Sequence, residues 1–248
     1  MNRISDTVKH LIIINVIFFV GSLTVGEEAF KWLSIWFPEN DNFKIWQVFT
    51  HMFMHHPTFY LHIIMNMFGL WMFGTPLEQI WGRNKFLFFY FSAGLGAVLL
   101  PFAIDYFQFN SIISEIISTG ISKEEILSIL NQGKYDTRWT DIVGHSSINK
   151  LNAIFHGSSL GASGAIMGLI AAFGIYFPNA KMALIFLPIP ISAKYFIPLI
   201  LAYEIYSGFT GGNSIFGVNV AHFAHVGGAF TGAIIAYFWK QNQFKRWN

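Results

Sequence analysis

The 248-residue sequence contains no cysteine, which excludes disulfide bonds, thiolate-bound metals and a cysteine nucleophile. Charged residues are also scarce, at 11% of the chain against about a quarter in soluble domains. The formal net charge is only +2, too little to indicate a surface that binds nucleic acid. A disulfide-rich secreted domain, an ordinary soluble domain and a nucleic-acid-binding protein therefore do not fit this composition.

Apolar residues dominate instead. They make up 54% of the chain, with 28 phenylalanines, and the mean hydropathy is +0.48. A membrane-spanning helix needs about 20 mostly apolar residues, and six segments approach that length: residues 9–25, 58–74, 85–104, 159–177, 194–208 and 219–239. The sequence therefore predicts an all-α polytopic membrane protein with one membrane domain, a bundle of six transmembrane helices. The first segment has no small-residue cleavage site, so we expect it to be retained.

Residues 105–157 differ in character, because they are polar and contain no segment able to span a membrane. We predict an extramembrane insertion between the third and fourth helices, partly structured around a helical pattern at Ser122–Leu130. Residues 26–57 mix charges and tryptophans with apolar residues, which is typical of an interfacial loop. Leu187-Pro-Ile-Pro190 interrupts any helix there, and a glycine-rich loop over Gly208–Gly217 precedes the sixth span.

The distribution of basic residues predicts how the bundle is oriented. Loops and termini on one side hold most of the lysines and arginines with few acids, whereas the side with the insertion is more acidic. Because basic loops stay on the cytoplasmic side, we predict that both termini are cytoplasmic. The membrane expected for this topology is a bacterial cell (inner) membrane, with the insertion on its outer side.

Four polar side chains fall at one level of the predicted bundle. Ser163 lies among small residues at the start of span four, His225 lies near the start of span six, and His62 and Asn66 lie one helical turn apart in span two. All three spans run from the outer face inward. Because unpaired polar groups are costly at that depth, we predict that the four side chains form one buried site open to water from outside.

Small residues allow the helices that carry these groups to approach closely. Gly164 and Gly168 on span four, like Gly228 and Gly232 on span six, are four residues apart, a spacing that clears one helix face for packing. Ser163 adjoins that face of its helix, and His225 precedes Gly228 by three residues and shares its face. We therefore predict that the hydroxyl and the imidazole lie within hydrogen-bond reach, the geometry of an activated serine.

Each signal taken alone has a plainer explanation. Glycines four apart are often only a packing motif, and a membrane-helix serine usually bonds its own backbone carbonyl. His51, His55 and His56 lie at the membrane edge and could bind metal, although no His-Glu-x-x-His pairing is present. For Glu204, inside span five, a structural hydrogen bond is a better explanation than catalysis, and we interpret His222 as structural.

In combination the motifs resemble the rhomboid family of intramembrane serine proteases. The resemblance covers most of the chain from Trp46 to Gly232, apart from residues 105–157. The family's nucleophile motif matches Gly161-x-Ser163-Gly164, and its base-bearing helix matches Ala224-His225-x-x-Gly228-x-x-x-Gly232. The signature of the second helix matches His62-x-x-x-Asn66, and the turn after that helix is similar at Glu78 and Gly82.

The resemblance implies a catalytic Ser163–His225 dyad without a third, acidic member. It further implies an oxyanion hole formed by His62, Asn66 and the Ser163 backbone N–H, with Gly161 permitting the sharp backbone approach to the serine. The implied substrates are single-pass transmembrane proteins, cleaved in the lipid bilayer near the outer face. No cofactor, metal or nucleic acid is implied, and the oligomeric state stays unknown.

One departure from the family pattern concerns the loop before span two. Many rhomboids have an arginine after the loop tryptophan, but here Trp46 is followed by Gln47. We expect other contacts to hold the loop, with His51 and His55 as candidates. Two rival functions stay open: an inactive rhomboid-like binder of membrane helices, and a transporter or channel with a proton path through Glu204. Loss of Glu204 would abolish transport but would leave proteolysis largely intact.

Overall fold

The computed structural model describes residues 3–184, 187–211 and 221–245, without the side chains of residues 183–184, 187–189 and 243–245. This part of the chain is mostly helical. Its α-helices are α1 Asp6–Val25, α2 Glu27–Leu33, α3 Gln47–Thr50, α4 Tyr60–Gly69, α5 Thr75–Trp81, α6 Arg83–Ile117, α7 Lys123–Asn131, α8 Arg138–His156, α9 Ser163–Tyr176, α10 Ala193–Thr210 and α11 His222–Lys245. The predicted glycine-rich loop from residue 212 onward, and the start of the sixth predicted span at residue 219, lie outside the described residues.

Four short strands accompany the helices in the described part of the chain. Strand β1 (Ile35–Trp36) pairs antiparallel with β2 (Ser158–Ser159), which lies just before the serine-bearing helix. Strands β3 (Lys181–Leu184) and β4 (Leu187–Ser192) form a second antiparallel pair between α9 and α10. The prolines of β4 cannot continue a helix, so an extended segment fits this connection. The prediction of a helical fold is thus confirmed in its coarse form, with these strands added.

Helix α6 is longer than the apolar segment at its start. It has 35 residues, so it measures about 52 Å, well above the ~30 Å hydrocarbon thickness of a bilayer. Its last part therefore extends into the region predicted as the polar insertion. Within the described residues, α1 and α6 are the helices long and apolar enough to cross a membrane, and α9 is a shorter apolar helix.

The main hydrophobic core joins α1, α6, α9 and α11 to the irregular end of α4. That helix continues through a turn of π-helix, Leu70–Gly74, directly into α5. The predicted second span and part of the connection after it are thus one continuous run of helix. The largest fully buried side chains of this core are Phe86, Phe89, Tyr90, Met52, Leu70 and Leu77.

The region from 105 to 157 has a hydrophobic core of its own. Ser122 caps α7 by accepting a hydrogen bond from the Glu125 backbone N–H at 3.1 Å, as the helical pattern there suggests. Residues from the end of α6, from α7 and from α8 enclose a buried cluster of Phe109, Ile112, Ile113, Ile116, Ile126, Leu130, Trp139, Ile148, Leu151 and Phe155, which also takes in Phe37. The region is therefore a folded helical unit, more ordered than its polar composition indicates.

Glu78 ties α5 to the start of the chain. Its carboxylate accepts hydrogen bonds from the Ser5 hydroxyl and from the backbone N–H groups of Thr7 and Val8, the latter two at 3.0 Å. These N–H groups belong to the first turn of α1, where no intrahelical acceptor exists. Burial raises the pKa of Glu78, but the bonds from Ser5 and Thr7 outweigh it and hold the pKa below its ordinary value.

We expect Glu78→Gln to destabilise the protein by about 1–3 kcal/mol, because a charged acceptor for several buried donors is lost. A depressed carboxyl pKa contributes stability above the ordinary value of 4.5, and this stability is lost as pH falls below it. The variant should therefore show a flatter loss of thermal stability in acid than the wild type, measured by unfolding in detergent. Glu28→Gln, at an exposed carboxylate in the first turn of α2, is the control; equal effects of both would contradict the capping role.

Candidate active site

Ser163 is the first residue of α9, at the end of a backbone turn that only glycine readily makes. Gly161 has a φ of +120°, a conformation that L side chains rarely adopt. Its N–H donates to the His51 carbonyl oxygen at 2.8 Å, which ties the turn to the loop before α4. The serine is partly exposed although both preceding residues are buried. It also lies where backbone N–H groups lack helical acceptors and the helix dipole favours negative charge.

His225 lies in the first turn of α11 and reaches Ser163. Its Nε2 atom is 2.9 Å from the Ser163 Oγ atom, a hydrogen-bond distance. The histidine is also partly exposed. Helices α9 and α11 therefore bring together the two residues that the sequence singles out as nucleophile and base.

Backbone-to-backbone packing of α9 against α11 produces this contact. A Cβ atom on Gly228 would lie 1.9 Å from the Gly164 carbonyl oxygen, and one on Gly232 would lie 2.6 Å from the Gly168 Cα atom. Neither position has space for a side chain. The four glycines predicted from their spacing to clear a packing face thus lie at the contact between the two helices.

His62 borders the space beside the serine. A methyl group placed on Gly161 would lie 3.0 Å from His62 Nε2 and 3.8 Å from Ser163 Oγ, so the imidazole and the hydroxyl face the same small space. The His56 backbone N–H approaches His62 Nδ1 at 3.4 Å. Because that contact requires Nδ1 to accept, the proton of the neutral ring belongs on Nε2, which is then a donor toward the serine side.

Asn66 follows His62 by four residues and shares its face of α4. Its side chain is buried, yet its amide nitrogen has no hydrogen-bond partner among the described residues. A buried amide donor without an acceptor costs about 1–3 kcal/mol. Such a cost is expected where a protein holds a donor ready for a group that arrives only during a reaction.

An acidic side chain also reaches His225. Glu204, on α10, places its Oε2 atom 3.1 Å from His225 Nδ1 and 2.7 Å from His222 Nδ1. The shorter contact is a well-formed hydrogen bond, whereas the longer one meets the distance of an ion pair without good hydrogen-bond alignment. In the sequence Glu204 is a lone acid within an apolar segment, and no local pattern indicates which residue it contacts.

Gln47 holds the loop in which the family more often has arginine. Its fully buried amide nitrogen donates to the backbone oxygens of Asn42 at 2.9 Å and Lys31 at 3.1 Å, and its amide oxygen accepts from the Lys44 N–H at 3.0 Å. His51 adds a bond from its Nδ1–H to the Gln47 carbonyl oxygen at 2.7 Å. The departure at this position therefore leaves the loop well connected.

Of the three histidines at the membrane edge, His51 and His55 are buried, whereas His56 is exposed. Burial lowers the pKa of His51 to about 4, and burial together with the neighbouring His62 lowers the pKa of His55 to about 3. Both rings are thus neutral near pH 7. Across residues 3–184, 187–211 and 221–245, no three His, Asp or Glu side chains are grouped so that they could hold a metal ion.

A serine at a helix N-terminus, a histidine within hydrogen-bond reach and polar donors beside them are the arrangement typical of serine hydrolases. Comparison with known proteins identifies the family. A model of the Rhomboid domain matches residues 42–124 and 138–242, more than half of the chain. The chain belongs to the rhomboid family. Members of this family are in general intramembrane serine proteases that act on membrane proteins in the bilayer.

Individual proteins named as rhomboids are also similar to this chain, at low sequence identity. Presenilin-associated rhomboid-like protein A, mitochondrial, of Danio rerio is 29% identical, over 69% of this chain and 32% of its own. Rhomboid protein 1, mitochondrial, of Saccharomyces cerevisiae is 25% identical, over 71% of this chain and 37% of its own. Rhomboid protease GlpG of Pectobacterium atrosepticum is 28% identical, over 33% of this chain and 28% of its own. The chain thus spans about a third of the length of the relatives it matches.

The localisation predicted from the sequence is corrected by these comparisons. The relatives that the chain matches over 69% and 71% of its length are named as mitochondrial proteins. They point away from a bacterial cell membrane, so that prediction is wrong. The prediction that both termini are cytoplasmic was made for a bacterial cell membrane, so it no longer applies.

Proposed function

We propose that this protein is an intramembrane serine endopeptidase that cleaves transmembrane segments of single-pass membrane proteins. The observation that carries the proposal is the 2.9 Å contact between Ser163 Oγ and His225 Nε2, made in a chain of the rhomboid family. The two residues lie in the first turns of α9 and α11. Cleavage is therefore proposed near the face of the bundle at which α9 begins, called the outer face in the sequence analysis.

In the proposed reaction Ser163 Oγ attacks the carbonyl carbon of the scissile bond. As the new C–O bond forms, the hydroxyl proton passes to His225 Nε2, which returns it to the leaving amine. The oxyanion of the tetrahedral intermediate is stabilised by the Ser163 backbone N–H, His62 Nε2–H and the Asn66 amide. Water, activated by the same His225, then hydrolyses the acyl-enzyme. This chemistry requires no cofactor or metal.

We further propose that six helices of the bundle cross the membrane, namely α1, α4 with the π-helical turn that ends at Gly74, the first part of α6, α9, α10 and α11. Large apolar side chains on their outer surface support this arrangement, because lipid is the natural partner of such a surface. The most exposed of them include Ile17, Ile64, Phe88, Leu99, Leu199, Phe209 and Phe230, each at least 58% accessible. Residues from about 105 to 157 then form an extramembrane unit on the side where α9 begins.

Purified protein in detergent or proteoliposomes, incubated with a model single-pass substrate, tests the proposed activity. We expect one defined cut, located by mass spectrometry of both products, within or beside the transmembrane segment. A fluorophosphonate probe, which attaches covalently to activated serines, should modify Ser163 in the same preparation. A protein that cleaves nothing in a panel of such substrates and leaves Ser163 unmodified would contradict the proposal.

The proposed oxyanion role gives Asn66→Ala a defined effect. We expect kcat to fall about 10²- to 10³-fold with a small change in KM, because the donor acts on charge that develops only in the transition state. Asn15→Ala is the matched control: this buried asparagine already donates to the Leu11 carbonyl oxygen at 2.7 Å. Its loss should lower thermal stability without a comparable fall in kcat. Equal falls in kcat would remove Asn66 from the oxyanion hole.

A further inference from the structure

We infer that Glu204 is a positioning residue for His225, so that this protein operates a Ser163–His225–Glu204 triad rather than a dyad. The inference rests on the proposed function of Ser163 and His225. It starts from the placement of the Glu204 Oε2 atom, which contacts Nδ1 of His225 on the side of the ring opposite to the Ser163 contact.

The two contacts are made by the two nitrogen atoms of one imidazole ring. Ser163 Oγ lies 2.9 Å from Nε2, and Glu204 Oε2 lies 3.1 Å from Nδ1 of the same ring. The Glu204 side chain is only 8% exposed and that of His225 only 13%. A charge placed in such surroundings acts more strongly than it would in water. Serine, imidazole and carboxylate thus form one connected line across α9, α11 and α10.

His222 holds the carboxylate in place. It precedes His225 by three residues on α11, so both imidazoles face α10. Its Nδ1 atom makes the shorter, aligned bond to the same Oε2 atom, at 2.7 Å. A carboxylate anchored by this bond remains beside His225 Nδ1 without needing a strong bond of its own there. The interpretation of His222 as structural is consistent with this arrangement.

A carboxylate at Nδ1 has two consequences for the chemistry. It favours the ring tautomer that carries its proton on Nδ1, which leaves the Nε2 lone pair to accept the Ser163 proton. When the Ser163 proton has moved to Nε2, the ring is a cation, and the adjacent anion stabilises it. The carboxylate itself keeps its charge throughout, and the proton on Nε2 goes on to the leaving amine. Glu204 therefore acts through His225 and does not touch the substrate.

A purely structural role predicts something different. Glu204 connects α10 to α11, so its loss could simply loosen the two helices, as a buried structural hydrogen bond would. Loosening lowers thermal stability and weakens substrate binding. It does not selectively slow the transfer of the Ser163 proton, and it is not repaired by a shorter side chain of the same charge.

The experiment compares wild type, Glu204→Gln and Glu204→Asp in the 248-residue chain. For each protein we measure kcat and KM with a model substrate. We also measure the single-turnover rate at which a fluorophosphonate attaches to Ser163. Glu204→Gln keeps the size and removes the charge. We expect kcat and the attachment rate to fall about 10²-fold or more while KM changes less than about threefold. This replaces the expectation from the sequence that proteolysis survives the loss of Glu204, because the sequence does not show the contact with His225. Glu204→Asp keeps the charge on a shorter side chain, so its kcat and attachment rate should be at least tenfold higher than those of Glu204→Gln.

Ser207→Ala is the matched control, because Ser207 is the other buried polar residue of α10 and lies three positions after Glu204. It should leave the attachment rate unchanged. The positioning role is wrong if the fluorophosphonate attaches to Glu204→Gln as fast as to wild type. It is also wrong if attachment to Glu204→Asp is as slow as to Glu204→Gln while the two variants have equal thermal stability. In both cases the proposed protease activity stands. If wild type itself neither cleaves nor labels, the proposed function fails and the triad with it.

Discussion

Ser163→Ala and His225→Ala are each expected to lower kcat by on the order of 10⁵- to 10⁶-fold, and the double variant is expected to lose no more than either single one. The reason is that nucleophile and base act as one unit: without the base the hydroxyl is not activated, and without the hydroxyl the base has nothing to activate. The 2.9 Å contact between Oγ and Nε2 is the distance expected for such a unit. Cleavage of a model substrate in proteoliposomes measures all three variants.

Residues of the same type elsewhere in the chain control for these substitutions. Ser111→Ala and His10→Ala change an exposed serine on α6 and an exposed histidine on α1, and both should retain wild-type rates. Losses that multiply in the double variant would mean that Ser163 and His225 act independently. Residual cleavage by Ser163→Ala above about 1% would place the nucleophile elsewhere.

Gly228→Ala is expected to destabilise the protein by about 3 kcal/mol and to reduce kcat about 10²-fold or more. The added methyl group would lie 1.9 Å from the Gly164 carbonyl oxygen, and backbone cannot rotate away as a side chain can. Helices α9 and α11 must therefore separate, which moves His225 away from Ser163. A displacement near 1 Å is enough to cost about 10²-fold in rate.

Two other glycines separate the steric cause from a general effect of alanine. Gly21→Ala on α1 adds a methyl group where nothing lies within 4 Å, so it should be neutral or slightly stabilising. Gly232→Ala clashes with the Gly168 Cα atom at 2.6 Å, one turn farther from His225, and should destabilise the protein with a smaller loss of kcat. Thermal unfolding and cleavage rates of the three variants test this order. A harmless Gly228→Ala would contradict the close packing.

Much of the architecture was predictable because it follows from local pattern. Long apolar segments predict helices wherever they occur, and helices are present at those segments of the described chain. Small residues four apart predict close helix contact, since the spacing alone clears a face. The pairing of Ser163 with His225 follows from that contact plus the position of each residue near a helix start. The catalytic assignment itself remains a prediction.

Other features depend on contacts between distant parts of the chain and were not predictable. Glu204 is a lone buried acid in the sequence, and nothing local indicates that α10 faces α11 at that point. Gln47 breaks a family pattern, yet its amide finds backbone partners that only the folded loop provides. The polar residues after position 104 suggest that α6 ends there, whereas a second core continues the helix to Ile117.

That second core has a consequence for how the molecule comes apart. All residues of α6 are described, and between Val98 and Phe109 none of them is fully buried, so about 15 Å of partly exposed helix connects the two hydrophobic clusters. Each cluster packs around its own end of α6. We therefore expect the cluster around Trp139 to unfold and refold as a cooperative unit of its own while the bundle that holds Ser163 stays assembled.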